Sequence, residues 1–185
     1  MVNKTLSCIF ILLVPFFIQA ETTWKLVPTK SIISFSATQN NAPVTGQFKS
    51  FTSELSFDPA KLNKSHVIVT VQTNSIVMSY KEVRDFLLSD AWFNVKVFPT
   101  AVFKSTSFTK LSDNNYQVKG ELTIRDKTVP TTVNFMATET ANGLSFKGNS
   151  SLKRTQFGIG QGDWAKTDLV KDEVQVQFEL MYSKA

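Results

Sequence analysis

The chain has 185 residues, a formal net charge of +5, one cysteine and one histidine. This composition excludes an intramolecular disulfide framework and a thiolate zinc site, and a single histidine without a carboxylate cluster gives no metal centre. The basic residues are scattered rather than clustered, which argues against a nucleic-acid-binding protein and leaves room for weak attraction to an anionic membrane surface.

The first twenty residues have the order of a secretory signal peptide. Lys4 precedes an apolar run, and Ala20 offers a small residue at the cleavage site. The run is shorter than the roughly 20 apolar residues of a membrane span, and Cys8 comes too early in it for a lipid anchor. We therefore expect residues 1–20 to be removed and residues 21–185 to form one domain in the periplasm.

Alternation of apolar and polar residues with period two dominates the rest of the chain. Each alternating segment has one apolar and one polar face, which is typical of antiparallel strands with one solvated face. Asp, Asn, Pro or Gly residues that favour turns lie between the segments. The pattern predicts eight strands, at 31–38, 51–59, 66–73, 101–108, 116–124, 132–139, 144–153 and 173–182.

One segment has the period of a helix instead. Ser79 and Glu82 have the spacing of a capping box, which predicts a short helix from Ser79 to Leu88. Lys81 and Asp85 are one helical turn apart and are expected to pair. The helical stripe that should pack on the sheet consists of Val83, Phe86 and Leu87.

Eight strands with one apolar face each can be arranged in two ways, both of them all-β. A sandwich packs its two apolar faces together and leaves no large cavity. A barrel of this size is either filled by side chains or holds one small ligand. Alternation alone leaves both arrangements open.

Stretches spread through the chain resemble the YceI-like, polyisoprenoid-binding family of exported bacterial proteins. They are KSIISF and VTGQFKSFTSELSFDP near the start, RDFLLSDAWFNVKVFPTAVFKST in the middle, and YQVKGELTIRDKTVP and LKRTQFGIGQGDW towards the end. Each motif alone is weak, but their shared order is specific. The resemblance covers the chain from Trp24 to Leu180.

The chain departs from the family pattern at a few positions. Many relatives have His where Phe86 or Leu87 stands, Asp where Asn94 stands, and Gly where Asp126 stands. These differences do not affect the expected fold. They concern the ligand, since a missing imidazole changes the contacts near the pocket mouth.

The resemblance implies a lipocalin-like antiparallel eight-stranded barrel with one short helix, closed over a hydrophobic tunnel. It also implies a bound isoprenoid quinone, polyprenyl lipid or fatty-acid-like amphiphile, with no covalent cofactor. Burying one CH₂ group contributes about 0.8 kcal/mol, so a long tail supplies a large driving force. Specificity must then come from the tunnel length and a few polar groups at its mouth.

The expected ligand contacts combine inward-facing strand residues with aromatic residues after the helix. Trp92 and Phe93 are expected to plug or rim the barrel, while the helix residues belong either to the core or to the tunnel wall. The complete set is Phe35, Val69, Val83, Phe86, Leu87, Trp92, Phe93, Phe103, Leu122, Ile124, Phe135, Phe157, Trp164 and Phe178.

Four charged residues are candidates for the tunnel mouth. Arg84 and Asp85 point about 100° apart on a helix, which gives no converging catalytic pair. We expect them to orient their segment through an ion pair and hydrogen bonds rather than to contact the ligand. Arg154 either holds its loop by pairing with Asp163 or binds a polar head group, and we favour the first.

The stretch GIGQGDW, residues 158–164, has three alternating glycines. Phosphate-binding glycine loops lie between a strand and a helix, whereas here a strand follows. The loop is therefore interpreted either as a plain hairpin connection or as a lid over the mouth, with Phe157 and Trp164 touching the ligand. His66 is expected at the exposed start of a strand, so no Ser–His–Asp arrangement can be built on it.

The sequence favours a non-enzymatic exported protein that carries or sequesters a long-chain lipid. One alternative is an enzyme acting on such a lipid, with the four charged residues named above as its candidates. Another is an envelope protein that docks a partner through exposed Trp92, Phe93 and Trp164. The identity of the lipid and the choice between monomer and homodimer remain open at this stage.

Overall fold

The computed structural model describes residues 23–184, so the predicted signal peptide lies outside the described residues. The one α-helix within this range is α1 (Lys81–Leu88). The strands are β1 (Thr23–Leu26), β2 (Ile32–Gln39), β3 (Ala42–Phe48), β4 (Phe51–Ser56), β5 (His66–Gln72), β6 (Ile76–Val77), β7 (Thr100–Ser112), β8 (Asn115–Ile124), β9 (Lys127–Thr140), β10 (Gly143–Lys153) and β11 (Glu173–Lys184).

The strands close into an antiparallel barrel. β1 pairs with both β4 and β11, so a ring of eight strands runs through β1, β4, β5, β7, β8, β9, β10 and β11. β2 pairs with the first half of β11, β3 pairs with β2, and the short β6 pairs with β3. The predicted eight-stranded barrel with one short helix is therefore confirmed, and the sandwich is excluded because the ring has no break.

The eight predicted strands correspond to β2, β4, β5 and β7 to β11, whereas β1, β3 and β6 were not predicted. β3 contains Pro43 and Gly46, which weaken a strand pattern. It follows a two-residue hairpin turn in which Asn40 and Asn41 have φ angles of 49° and 62°. Asparagine tolerates this left-handed conformation, which matches the twist of the flanking strands.

The start of helix α1 differs from the prediction. The N-cap residue is Tyr80, and it makes no side-chain capping hydrogen bond, so the capping box of Ser79 and Glu82 is wrong. The carboxylate of Asp85 lies 3.2 Å from the Arg84 guanidinium and thus pairs with its neighbour rather than with a residue one turn away.

The packing of α1 also differs in one residue. Phe86 is 56% exposed, so its expected position on the sheet is wrong. Val83 and Leu87 are half-buried. The reason is the anchoring of the helix: Arg84 Nε donates a hydrogen bond to the Ile76 carbonyl at 2.9 Å, and Phe86 turns towards Trp164, with ring centroids 6.0 Å apart.

The two ends of the barrel have different cores. At the closed end, the Phe57 ring lies 4.9 to 6.2 Å from the rings of Phe108, Tyr116, Phe135 and Phe146. The open end, where β8 and β10 end and β7, β9 and β11 begin, has a second apolar cluster. Its buried members are Trp92, Ile124, Phe157, Ile159 and Val170. The barrel is thus plugged at one end and covered by loops and α1 at the other.

Candidate ligand-binding site

The interior of the barrel contains an apolar cavity of about 150 Å³. Its wall is formed by inward-facing strand residues such as Val69, Val71, Phe103, Val133, Val176 and Phe178. These side chains are only partly buried and pack against the buried core that includes the closed-end rings. They face one another across a space rather than packing together, because the ring of strands holds them apart.

The few polar groups on this wall are already paired. Thr131 and Ser150 donate their hydroxyl protons to backbone carbonyls at 3.1 and 3.0 Å. The hydroxyl groups of Tyr182 and Ser53 lie 2.8 Å apart, and burial raises the pKa of Tyr182 to about 12. The cavity therefore suits hydrocarbon, since a polar ligand group would lose its hydration there without gaining a partner.

Glycines on neighbouring strands let three phenylalanine rings lie against the barrel wall. The rings of Phe35, Phe103 and Phe178 each cover a glycine of the adjacent strand. At Gly46, an added Cβ atom would lie 2.5 Å from Cζ of Phe35. The rings of Phe103 and Phe178 consequently lie along the wall of the interior cavity, whereas Phe35 lies on β2, outside the ring of eight strands.

A second apolar cavity, of about 190 Å³, lies at the open end and is called the mouth cavity. Helix α1, the ends of β2 and β3, and the loop containing Trp164 surround it. Its polar wall residues are Gln39 and Glu82. The interior and mouth cavities have no wall residue in common and are therefore two distinct apolar spaces.

Aromatic rings form one side of the mouth cavity. The Trp164 ring centroid lies 5.7 Å from that of Trp92 and 6.0 Å from that of Phe86. Phe93 points deeper and meets Phe48 edge-on at 6.2 Å, and Phe48 in turn lies 5.6 Å from Phe35. These contacts form two separate series, one from the exposed Phe86 through Trp164 to Trp92 and one from Phe93 through Phe48 to Phe35 on β2.

Arg154 holds the loop that covers the mouth, but not through Asp163 as expected. Its guanidinium is buried and donates to the carbonyls of Ile159, Lys166, Val170 and Lys171 at 2.8 to 3.2 Å. The expected Asp163 pairing is wrong because Asp163 is exposed while the guanidinium points inwards. Burial lowers the pKa of Arg154, and the nearby Asp172 carboxylate opposes this shift.

Gly160 is required for this arrangement of the loop. It has a φ angle of 80°, and a Cβ atom there would collide with Nη1 of Arg154. The backbone N–H groups of Gly160 and Gln161 both donate to the Ala91 carbonyl, at 2.9 and 2.8 Å. The glycine loop is therefore fastened to the segment that follows α1.

Arg125 is a second anchor, and the sequence analysis did not identify it. Its Nη1 donates to the carbonyls of Asp90, Trp92 and Gly158, and its guanidinium lies 5.4 Å from the Phe98 ring. The residue sits in the β8–β9 turn with a φ angle of 57°. Its position after an alternating strand suggested only a turn, and no spacing signal linked it to the mouth.

The structure divides the expected ligand contacts among three places. Those on the wall of the interior cavity are Val69, Phe103, Leu122, Phe135 and Phe178. Those on the wall of the mouth cavity are Phe35, Val83, Phe86, Leu87, Trp92 and Trp164. Ile124 and Phe157 are buried in the open-end cluster, and Phe93 packs against it.

The four charged candidates are not brought together. Arg84 and Asp85 pair on the outer side of α1, Arg154 lies inside the mouth loop, and Asp163 is exposed.

Residues 23–184 contain no cluster of three or more side chains suited to hold a metal ion. His66 is exposed at the first position of β5, as predicted. In the same range, no helix is long and apolar enough to cross a membrane.

Curated relatives resemble this chain over most of its length. The family model described as a YceI-like domain matches residues 24–182. A UPF0312 protein of Vibrio cholerae is 29% identical over 141 residues, which cover 71% of this chain and 75% of the relative. A UPF0312 protein of Pseudomonas putida is 32% identical over 133 residues, with 67% and 68% covered.

Solved structures share the fold. BcnA of Burkholderia cenocepacia is 34% identical, with a TM-score of 0.81 over 84% of this chain and 98% of its own. A polyisoprenoid binding domain from Saccharophagus degradans, implicated in plant cell wall breakdown, is 13% identical, with a TM-score of 0.69 over 89% and 99%. At that identity the second likeness concerns the fold alone. Since the family model spans nearly the whole described range, the chain belongs to the YceI-like family.

Proposed function

We propose that this protein binds one long-chain amphiphile, with the hydrocarbon tail inside the barrel and the head group at the mouth. The observation that carries the proposal is the interior cavity, whose wall is apolar and whose hydroxyl groups already have partners. An isoprenoid quinone, a polyprenyl lipid and a fatty-acid-like chain all offer the tail that this wall accepts. The fold that the chain shares with the polyisoprenoid binding domain from Saccharophagus degradans is compatible with the isoprenoid members of this group.

The tail runs from the mouth cavity past its aromatic rings into the interior cavity and ends against the closed-end cluster. Each buried CH₂ group contributes about 0.8 kcal/mol to binding. The lost freedom of the chain and of association offsets much of that gain, so affinity depends on how well the ligand fills the space. The half-buried rings of Phe103 and Phe178 can shift towards or away from the tail and thereby change the width of the interior cavity.

The role is one of carriage, storage or sequestration rather than catalysis. A lipid-modifying enzyme needs polar groups that converge on the ligand, whereas Arg84, Asp85 and Asp163 lie outside both cavities. Docking of a protein through exposed tryptophans is also poorly supported. Trp92 is buried, and Phe93 and Trp164 are half-buried.

Exchange of the ligand takes place at a membrane surface in this proposal. Three large apolar or aromatic side chains near the mouth are exposed: Tyr80 at 70%, Phe86 at 56% and Leu169 at 55%. Phe86 also lines the mouth cavity, so the apolar wall continues onto the surface. Together with the predicted signal peptide, this supports exchange at the periplasmic face of a membrane.

The experiment is a filled-barrel variant with a matched control. Val133→Trp places an indole in the interior cavity, whereas Thr132→Trp adds the same side chain to the exposed face of the same strand. We expect binding of a fluorescent long-chain fatty acid to be lost in the first variant and kept in the second. Equal binding by both folded variants would show that the tail does not enter the barrel.

A further inference from the structure

The interior and mouth cavities come next to each other on one face of β2. Ile33 lines the interior cavity, whereas Phe35, which projects from the same face two residues later, lines the mouth cavity. Val176 of β11 is the register partner of Phe35 and lines the interior cavity. A tail that passes from one cavity to the other must therefore cross at the level of Ile33 and Phe35.

Two phenylalanine rings meet at this level. Phe48 of β3 is the register partner of Ile33, and its ring centroid lies 5.6 Å from that of Phe35. The ring of Phe93 meets the Phe48 ring edge-on, with centroids 6.2 Å apart. Phe48 packs against the core that includes the closed-end rings, and Phe93 packs against the open-end cluster. The pair thus joins the two apolar clusters at the point where the two cavities are separated.

The backbones of both residues are fixed, so a passage opens only if their side chains move. Phe48 is paired on both sides, with β2 and with β6. The Phe93 N–H group donates to the Leu87 carbonyl at the end of α1, at 3.0 Å. Both side chains are half-buried, whereas the neighbouring Phe157 is only 1% exposed. Incomplete packing leaves a ring free to change rotamer, while a closely packed ring is held in place.

We infer that Phe48 and Phe93 form a gate between the mouth and interior cavities and that this gate selects ligands by the width of the tail. The inference rests on the proposed function and adds the specificity for the tail. A slender flexible chain, linear or with single methyl branches, passes when one ring rotates. A chain that ends in a bulky group requires both rings to leave, so it is held at the mouth. Phe48 and Phe93 are then specificity-determining residues.

The test compares two fatty acids of equal chain length, one ending in a methyl group and the other in an adamantyl group. Isothermal titration calorimetry gives the affinity of each acid for the wild type, for Phe93→Leu and for Phe48→Leu. We expect the wild type to prefer the methyl-ended acid and each variant to reduce that preference about tenfold, because leucine leaves the passage open. Equal binding of both acids by the wild type, or an unchanged preference in the folded variants, would overturn the inference.

Rates of binding give a readout that a purely structural role would not change. A gate raises the barrier to entry and to exit alike, so Phe93→Leu should increase both rate constants of the methyl-ended acid about tenfold and leave its Kd within about twofold. Stopped-flow tryptophan fluorescence follows both steps, because Trp92 and Trp164 line the mouth cavity. A change in the dissociation rate alone would mean that Phe93 only contacts the bound tail, and it would contradict the gate.

Phe98→Leu is the matched control, because it makes the same substitution in the same segment. Phe98 is half-buried, its ring lies 5.4 Å from the Arg125 guanidinium, and it belongs to the wall of neither cavity. The variant should keep the tail preference and both rates of the wild type. The same loss of preference in Phe98→Leu would attribute the effect to a loosened segment and contradict the gate.

A crystal structure of the wild type with the adamantyl-ended acid avoids any effect of the substitutions on folding. The adamantyl group should lie in the mouth cavity, with the rings of Phe48 and Phe93 in contact. An adamantyl group inside the interior cavity would overturn the inference. If neither acid binds the wild type, the proposed function fails instead, so the two failures are distinguishable.

Discussion

Tyr182 places an ionisable hydroxyl inside the apolar barrel, where its one hydrogen-bond partner among residues 23–184 is the Ser53 hydroxyl. Burial raises the pKa of Tyr182 from 10.0 to about 12. Because the raised value belongs to the folded state, the unfolded chain loses this proton first as the pH rises. The contribution of Tyr182 to stability is therefore complete below pH 10 and declines as the pH approaches 12.

The prediction is a pH-dependent difference between the wild type and Tyr182→Phe. Near neutral pH the variant should be less stable by about 1 kcal/mol, because it lacks the hydrogen bond to Ser53. Towards pH 12 the order should reverse, since a shift of two pKa units corresponds to about 3 kcal/mol. Urea denaturation at a series of pH values measures this. Ser53→Ala keeps the phenol and should keep the alkaline decline, whereas a constant difference between Tyr182→Phe and the wild type would contradict the account.

Single residues also show where sequence reasoning ends. The position of Arg154 in a glycine-rich loop suggested that it holds the loop, but its partners are backbone carbonyls, which no residue pattern specifies. The indole N–H group of Trp92 has no partner among residues 23–184, and no local sequence pattern signals this. Inward faces were easier to predict: Val69, Phe103 and Phe178 follow the alternation of their strands into the interior cavity.

At the scale of elements, the pairing of β2 with β3 sets the shape of the wall next to the mouth. Gly46 of β3 lies directly opposite Phe35 of β2, and the ring rests on the glycine. Within 4 Å, the three nearest atoms that an added Cβ would meet all belong to the Phe35 ring. This isolation makes the pair suitable for a double-mutant cycle.

We predict that Gly46→Ala destabilises the wild type by about 1–3 kcal/mol, because the ring is forced off the wall. In a Phe35→Leu background the same substitution should be neutral or slightly stabilising, since the smaller side chain leaves room for the methyl group. The free energies of unfolding of the four proteins give the coupling energy. The same loss in both backgrounds would mean that the glycine serves the backbone and not the aromatic ring.

Other elements differ in how far the sequence specifies them. The helical stripe located α1 to within two residues, but it did not give the N-cap residue Tyr80 or the exposed position of Phe86. In β7 the register shifts between Ser105 and Ser107, which lets Phe103 and Phe108 both face the interior. A bulge of this kind appears in the sequence only as a lapse in alternation.

At the scale of the whole molecule, closure of the barrel was the feature that the residue pattern predicted least. Alternation specifies the face of each strand but not its neighbours, so a sandwich and a barrel were equally compatible with it. Closure depends on the short β1, which pairs with β4 on one side and β11 on the other. The resemblance to the YceI-like family supplied this information, and the pairing confirms it.

The difference between the two ends of the barrel predicts that the open end, and not the closed end, contacts a membrane. Leu169 beside the mouth and Leu111 near the closed end are exposed to almost the same extent, at 55% and 56%. Leu169→Asp should slow transfer of a fluorescent fatty acid from anionic vesicles by about tenfold, because an apolar contact with the bilayer is replaced by a charge.

Leu111→Asp introduces the same charge at the opposite end and should leave the transfer rate unchanged. Neither variant should alter the affinity for the free fatty acid, since neither residue lines a cavity described above. Equal slowing by both variants would attribute the effect to net charge and remove the support for exchange through the mouth.

The most direct measurement is a crystal structure of the protein with a long-chain fatty acid that carries bromine on its terminal carbon. The account predicts an anomalous bromine peak inside the barrel, among Val133, Val176 and Leu180 and next to the closed-end aromatic cluster, with the carboxylate at the mouth. A bromine peak on the outer surface, or a bound chain that stops at the mouth with the interior unchanged, would contradict it.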